Sequence, residues 1–282
     1  MNDGVSKSSD YIHGSSPEEQ RRLSLMNDIL NESCLKELDL QPGEKVLDLG
    51  SGLGQFTRLM ARAVGSRGRV VGIERDQDQL AQAKRLADSD EESTLVEFRS
   101  GDALTLPLDE PEWGTFDVAH ARFLLEHVPR PASVISQMAR AVRPGGRVVV
   151  VDDDHGDFRP WPEPPGFDAL WRAYVRSYEK LGNDPYVGRR LVSLLRDGGL
   201  IARRNSGIFF GGCAGDQKFL AVADNLIVAL EGAKDAILSG ELLDEPTFDA
   251  GLVGLQHWKT NPSAALWYSA CFAEGIVPSE SV

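Results

Sequence analysis

Cysteine is scarce in this 282-residue chain. Its three cysteines, Cys34, Cys213 and Cys271, are far apart and odd in number. That excludes a disulfide framework and a cysteine-built zinc site, and fits a reducing cytoplasm. Basic residues are also in deficit, with 30 Lys and Arg against 43 Asp and Glu, a formal net charge of -13. Binding a polyanion relies on clustered cations, so nucleic acid is excluded as the main partner and anionic membrane surfaces are disfavoured. A small-molecule partner is expected instead. No apolar run is long enough to insert into and cross a bilayer, and the N-terminal "MNDGVSKSSD" lacks the apolar core of a secretory signal. Repeats and low-complexity tracts are missing as well. The expectation is a cytoplasmic protein, monomer or homodimer, long enough to bury a real core.

What is present is an alternation of strand and helix patterns. Ser16 can cap a first helix, Pro17 suits its first position, and Glu19 closes a capping box. Leu23, Met26 and Leu30 give that helix one apolar face. From Glu44 onward "KVLDL", "RVVGIE", "TLVEFRSGD", "TFDVAHA" and "GRVVVVD" read as strands. Helices fall between them, one with Phe56, Leu59, Met60 and Ala63, another with Val134, Met138 and Val142 that stops at "RPGG". Short apolar strands alternating with helices predict an α/β fold, a doubly wound and mostly parallel sheet with its ligands at the carboxyl ends of the strands. After Asp152 the pattern changes to a Pro- and aromatic-rich loop, a stripe of Phe167, Leu170, Trp171, Tyr174 and Tyr178, a strand near "IARRNSGIFFGG", and a helix with Phe219, Val222, Ala223, Leu226 and Leu230. "SAALWYSACFAEGI" fits a helix or a closing strand. The chain thus divides into an arm over 1–40, a core over 41–151 and a remainder over 152–282 that completes the sheet and adds helices, all in one structural domain.

The stretch "VLDLGSGLGQF" carries the most chemistry. Gly50, Gly52 and Gly54 allow a sharp turn and close approach of backbone to a ligand. A phosphate-binding P-loop would end in Gly-Lys-Ser/Thr, whereas this one ends in Gly54-Gln55-Phe56. A dinucleotide loop would place Gly or Ala at position 55, where Gln55 stands. An NAD(P)-dependent oxidoreductase is therefore the weaker alternative. S-adenosyl-L-methionine has no pyrophosphate, and its ammonium group suits an acid just before the first glycine, which is Asp48. Glu74, about twenty residues on, stands where an acid holds ribose hydroxyls. Asp102 could accept from an adenine amino group while the Ala103 amide donates to a ring nitrogen.

With these residues the chain resembles the class I S-adenosylmethionine-dependent methyltransferases, in particular the branch with ubiquinone/menaquinone-biosynthesis enzymes and many small-molecule methyltransferases. The resemblance runs from Gln41 to Val151 through "VLDLGSGLG", "VVGIERD", "SGDALTLP", "FDVAHARFLLEHVPRP" and "VRPGG". It implies a seven-stranded Rossmann-like sheet with an N-terminal helical arm and a helical lid inserted late. It also implies that Asp48 and the loop Gly50, Ser51, Gly52 and Gly54 hold the methionine moiety, Glu74 ribose, and Asp102 with Ala103 adenine. Ala121 and Arg122 would contact the methionine group through backbone atoms. The family usually has an apolar residue after the ribose acid; here Arg75 could stack on adenine instead. The implied reaction moves a methyl group to an O, N or C nucleophile of a small molecule and leaves S-adenosyl-L-homocysteine. A non-catalytic S-adenosylmethionine-binding protein is the other alternative.

An oxygen nucleophile needs a general base, and His127, His155 and Tyr11 are the candidates. Tyr11 and His13 would close the site from an N-terminal arm over the cofactor, as in related small-molecule enzymes. His127 could equally brace its loop, and Asp76 reads as a helix cap. Asp152, Asp153, Asp154 and His155 read first as a solvated or helix-capping acidic loop, second as a cation-recognition element. No metal is expected, because "AHAR" supplies no carboxylate at the end of the fourth strand. Trp171, Tyr174 and Tyr178 read as core rather than cage, and "NDPY" at 183–186 as a turn between helices.

Overall fold

The computed structural model describes residues 17–90 and 92–279. Buried aliphatic runs form its central strands: β1 (Lys45–Leu49), β2 (Arg69–Glu74), β3 (Val96–Ser100), β4 (Phe116–Arg122) and β5 (Val142–Asp152). Between them lie α2 (Gln55–Val64), α3 (Gln77–Ser89) and α4 (Pro131–Ala141), with α1 (Pro17–Leu38) before the first strand. Beyond β5 come β6 (Arg159–Trp161), α5 (Phe167–Lys180), α6 (Leu191–Asp197), β7 (Ile201–Phe209) and β8 (Gly212–Cys213). The chain ends with α7 (Gln217–Gly232), α8 (Lys234–Ser239), α9 (Glu245–Trp258), β9 (Ala265–Trp267) and β10 (Ser269–Ile276).

The main sheet has seven strands in the order β3-β2-β1-β4-β5-β10-β7. The first five run parallel, and β10 is antiparallel to both β5 and β7. Parallel strands bury both faces, and successive residues of β1 divide accordingly. Val46 packs in one apolar cluster with Phe56, Met60 and Val149, while Leu47 and Leu49 pack in a second with Val71, Phe116 and Val148. The order reverses between β1 and its neighbours β2 and β4, which opens a crevice at their carboxyl ends.

Three details emerge from the structure. The helix predicted to run to "RPGG" ends at Ala141, and Val142 already pairs with Phe116 in the sheet. Arg143 precedes Pro144 and so avoids the helical region, and Gly145 turns with φ 76°. The ambiguous segment near the end is strand, with β10 closing the sheet. A second sheet, β6-β9-β8, was not foreseen, because strands of two and three residues show no periodicity. The predicted cap at Ser16 lies outside the described residues. So do the side chains of Leu23 and Met26, whereas Leu30 is buried. No helix among the described residues is long and apolar enough to cross a membrane.

The C-terminal end of α1 is fastened to the sheet by charge. Glu274 on β10 is buried and accepts from Arg147 on β5 and Arg204 on β7, at 3.4 and 3.1 Å. The same two guanidinium groups donate to the Leu38 and Glu37 carbonyls at the end of α1. Removing the carboxylate would leave the charge of both guanidinium groups only partly balanced, Arg147 by Glu44 and Arg204 by Glu37 and solvent. Glu274→Ala is therefore expected to cost about 3 kcal/mol in urea unfolding, with the midpoint lowered and the slope unchanged.

Candidate functional site

The crevice leads into a cavity of about 710 Å³. Its floor is the glycine turn after β1. Gly50, Gly52 and Gly54 have φ of 70°, 57° and 73°, in the left-handed region that suits glycine. The Gly50 and Ser51 amides both donate to the Ile73 carbonyl, at 2.9 and 3.0 Å, which ties the turn to the end of β2. Gly50, Ser51 and Gly52 line the cavity; Gly54 is not among the lining residues and turns the chain into α2 beneath Phe98. A Cβ on Gly54 would lie 2.5 Å from Phe98 Cζ.

Asp48 is buried, and both of its oxygens have protein partners. Thr57 Oγ1 donates to Oδ2 at 2.6 Å, and His120 Nδ1 lies 2.8 Å from Oδ1. His120 stands directly across from Asp48 in the parallel register of β1 and β4. Sequence reasoning passed over His120, although a histidine inside the buried strand "FDVAHAR" needs a polar partner. The Ala121 side chain is buried and is not among the lining residues, whereas His120 and Arg122 are. Arg122 bonds Asn27 and Asn31 of α1 and lies 4.2 Å over the Phe56 ring. Asn27 also donates to the Gln55 side chain at 2.7 Å, so α1 is docked over the loop.

Glu74 is likewise a brace. Its two oxygens accept the Gly52 and Asp76 amides, each at 2.8 Å. Burial raises its pKa, opposed by those hydrogen bonds. Asp76 caps α3 through the Asp78 and Gln79 amides, as expected. Arg75 is exposed at the cavity mouth. Asp102 accepts the Leu104 amide at 2.8 Å and lines the cavity beside Ala103.

The far wall is aromatic. Trp171, Tyr174 and Tyr178 of α5 line it, so the stripe expected to be core is both core and cavity wall. Phe158, Phe210 and Tyr268 join them from segments that sequence reasoning did not connect, and Val222, Asn225, Leu226 and Ala229 of α7 complete the chamber. Only the fold brings these residues together.

Of the solvated or helix-capping loop expected first for the acidic run after β5, the capping part is met at Asp154 and the solvated part is not. Asp152, Asp154 and His155 are buried. Asp152 accepts the Leu124 and Leu125 amides, at 3.2 and 2.8 Å, and so holds the loop that follows β4. Burial and the neighbouring Asp153 carboxylate push its pKa well above the usual carboxylate range. Asp154 caps a one-turn helix through the Gly156 amide and pairs with Arg189. His155 touches the rings of Trp171, Tyr174 and Tyr178, and burial lowers its pKa to about 4. His127 stacks on Tyr178, with Nε2 3.3 Å from Glu126 Oε1. Tyr11 and His13 lie outside the described residues. "NDPY" is a turn after α5, in which Asp184 accepts the Tyr186 amide.

A seven-stranded sheet of this order, with a glycine turn after β1 and an acid ending β2, is the architecture of the Rossmann-like methyltransferases. Residues 40–166 match the family model described as "Methyltransferase domain". Residues 40–166 are thus a methyltransferase domain of the S-adenosylmethionine-dependent class. The chain is 36% identical over 112 residues to 2-phytyl-1,4-naphtoquinone methyltransferase of Synechococcus elongatus, covering 40% of this chain and 47% of that one. It is 37% identical over 166 residues to an uncharacterised 37.1 kDa protein of transposon TN4556 from Streptomyces fradiae, covering 58% of this chain and 46% of that one. The chain thus spans about half the length of these curated relatives. In fold it resembles phosphoethanolamine N-methyltransferase 2 of Haemonchus contortus, solved with S-adenosyl-L-methionine. That likeness has a TM-score of 0.61 at 16% identity and covers 99% of this chain and 61% of the other.

The packing of the glycine turn gives a direct test. Gly54→Ala adds a Cβ at a left-handed φ and against Phe98. It is expected to cost about 2–4 kcal/mol in thermal or urea unfolding. Combining it with Phe98→Leu should recover part of that loss, because only the steric component is relieved.

Proposed function

We propose that this chain transfers the sulfonium methyl of S-adenosyl-L-methionine to a small molecule with an apolar or aromatic body. The observation that carries this reading is the continuity of the cavity. One space runs from Gly50 and Glu74 past Asp102 to the aromatic chamber, so a donor on the sheet edge and an acceptor under α5 and α7 would meet inside it. The relatives' domain match supports the donor, and the chamber lining supports the acceptor class.

The Gly50, Ser51 and Gly52 backbone would hold the methionine end. Asp48, already engaged by Thr57 and His120, would reach its ammonium group through water. The Glu74 oxygens each keep a free lone pair beyond the amide they accept, enough to receive ribose hydroxyls. Asp102 and the Ala103 amide would hold adenine, with Arg75 stacked on it at the mouth. The bound donor supplies an already activated methyl group. The protein's work is to align the nucleophile and exclude water, and the rings of Phe158, Tyr174 and Phe210 do the latter. Among the described base candidates, His155 is held neutral by burial, which makes it a weak proton acceptor at neutral pH. His127, less deeply buried and beside Glu126, is the better placed of the two.

Calorimetric titration with S-adenosyl-L-homocysteine should show one site, and NAD should not bind. Glu74→Ala should weaken that binding at least tenfold, about 1.4 kcal/mol, in a variant whose circular dichroism is unchanged. Unaltered affinity in the folded variant would remove Glu74 from the site. Tight NAD binding without S-adenosyl-L-homocysteine binding would overturn the reading. Failure of a broad acceptor screen to release S-adenosyl-L-homocysteine would favour a cofactor-binding protein without transferase activity.

A further inference from the structure

We propose that Glu126, Asp153 and His155 form a binding site for a divalent transition cation, zinc being the best fit, on the wall of the acceptor chamber. The proposal deepens the methyltransferase reading and rests on it for the identity of the chamber. One ligand atom from each of the three side chains can be chosen so that all lie within 4.8 Å of one another. All three residues line the cavity, Glu126 and His155 are buried, and Asp153 is half-buried. The end of β4, "AHAR", offers no carboxylate of its own. Glu126, four residues beyond Arg122 on the one-turn helix Leu125–His127, supplies that carboxylate.

The histidine provides the independent observation. His155 Nδ1 lies 3.2 Å from Tyr268 Oη, and Tyr268 hydrogen-bonds the Asp153 side chain. A carboxylate only accepts, so the tyrosine proton points to Asp153 and Oη accepts from Nδ1–H. That assigns the tautomer and leaves Nε2 with a bare lone pair. Nε2 is buried and has no hydrogen-bond partner. It faces Glu126 Oε2 at 3.5 Å, acceptor against acceptor. A cation between them resolves the opposition. A metal-bound histidine commonly donates its other ring N–H to a polar group that fixes the ring, the role Tyr268 has here.

Distance separates a metal from an ammonium group. Two atoms 3.5 Å apart and each about 2.1 Å from a shared cation subtend about 110° at it, the tetrahedral angle zinc favours. A protonated amine about 2.8 Å from both would need two N–H bonds only about 80° apart, well short of their natural spread. A nitrogen donor beside two carboxylates also selects a borderline transition ion over magnesium or calcium. Three protein ligands leave a fourth position, and here it opens on the chamber. An acceptor hydroxyl or phenol could occupy it through oxygen, and the cation would favour its deprotonated form.

The test uses the full chain, stripped with chelator and titrated with zinc in calorimetry without any methyl donor. One equivalent should bind. Glu126→Gln and Asp153→Asn, which keep shape and remove charge, should each weaken zinc binding at least about 100-fold. S-adenosyl-L-homocysteine affinity, measured separately on the stripped protein, should stay within about threefold in both variants. Cobalt added to the unmutated protein should give visible absorption of tetrahedral intensity, a readout that needs no variant to fold. Absence of zinc binding, or binding that both variants retain, overturns the site while leaving the methyltransferase reading intact. So does saturable binding of tetramethylammonium that both variants abolish while zinc fails to compete. Zinc binding without S-adenosyl-L-homocysteine binding would uphold the site and overturn the transferase instead.

Discussion

A carboxylate taken out of water costs several kcal/mol unless donors meet its oxygens, and the carboxyl edge of this sheet buries Asp48, Glu74, Asp152 and Asp154 together. Each is satisfied by the neighbouring chain rather than by solvent, and each therefore fixes a segment. Asp48 holds Thr57 on α2 and His120 on β4. Glu74 holds the glycine turn by Gly52 and the start of α3 by Asp76. Asp152 holds the loop after β4, and Asp154 holds Arg189 at the entry to α6. The cavity floor has its shape because these acids cannot be left unpaired. Residues read as ligand contacts are also the fasteners of the ligand's surroundings. Preorganisation follows, since a site whose donors are already ordered loses little entropy on binding.

The sequence was most informative where local chemistry decides structure. The left-handed turn at Gly50, Gly52 and Gly54 needs glycine, and the buried strand "VLDL" needs a parallel sheet, so both could be read directly. The Asp76 cap was legible for the same reason, because an acid two and three residues before free amides is a local arrangement. What escaped was set by register and by contacts distant in the chain. His120 meets Asp48 only because β1 and β4 align them, 72 residues apart in the chain. Phe158, Phe210 and Tyr268 converge from three segments with no periodicity in common. The acidic run looked solvated because an Asp-rich stretch usually is. Its burial follows from α5 and the end of β10 packing over it, which no local pattern announces.

The two ends of the cavity are built on different principles. The sheet end is polar, made of backbone amides and carboxylates anchored on strands, and such a surface recognises one ligand by position. The chamber end is made of rings and aliphatic side chains from α5, α7 and the segment before β10, and selects by size and shape. A domain with one end fixed on strands and another built from variable helices can change what the second end holds without disturbing the first. The family match is consistent with this division, since it covers residues 40–166 and stops before α5 begins at Phe167.

Charge places a further constraint on the chamber. Glu126 and Asp153 bring carboxylates to a wall otherwise lined with rings and aliphatic side chains, where burial holds His155 neutral. Arg189, a nearby guanidinium, is committed to Asp154 through Nε and one terminal nitrogen. Low surrounding polarity strengthens every interaction of those carboxylates, favourable or not. The same reasoning applies to the reaction. A sulfonium donor loses its positive charge as the methyl leaves, so unscreened negative charge beside it would favour the reactant over the transition state. On the proposed reading, a cation bound at Glu126 and Asp153 would offset that cost, which ties the electrostatics of these two carboxylates to what the chamber holds.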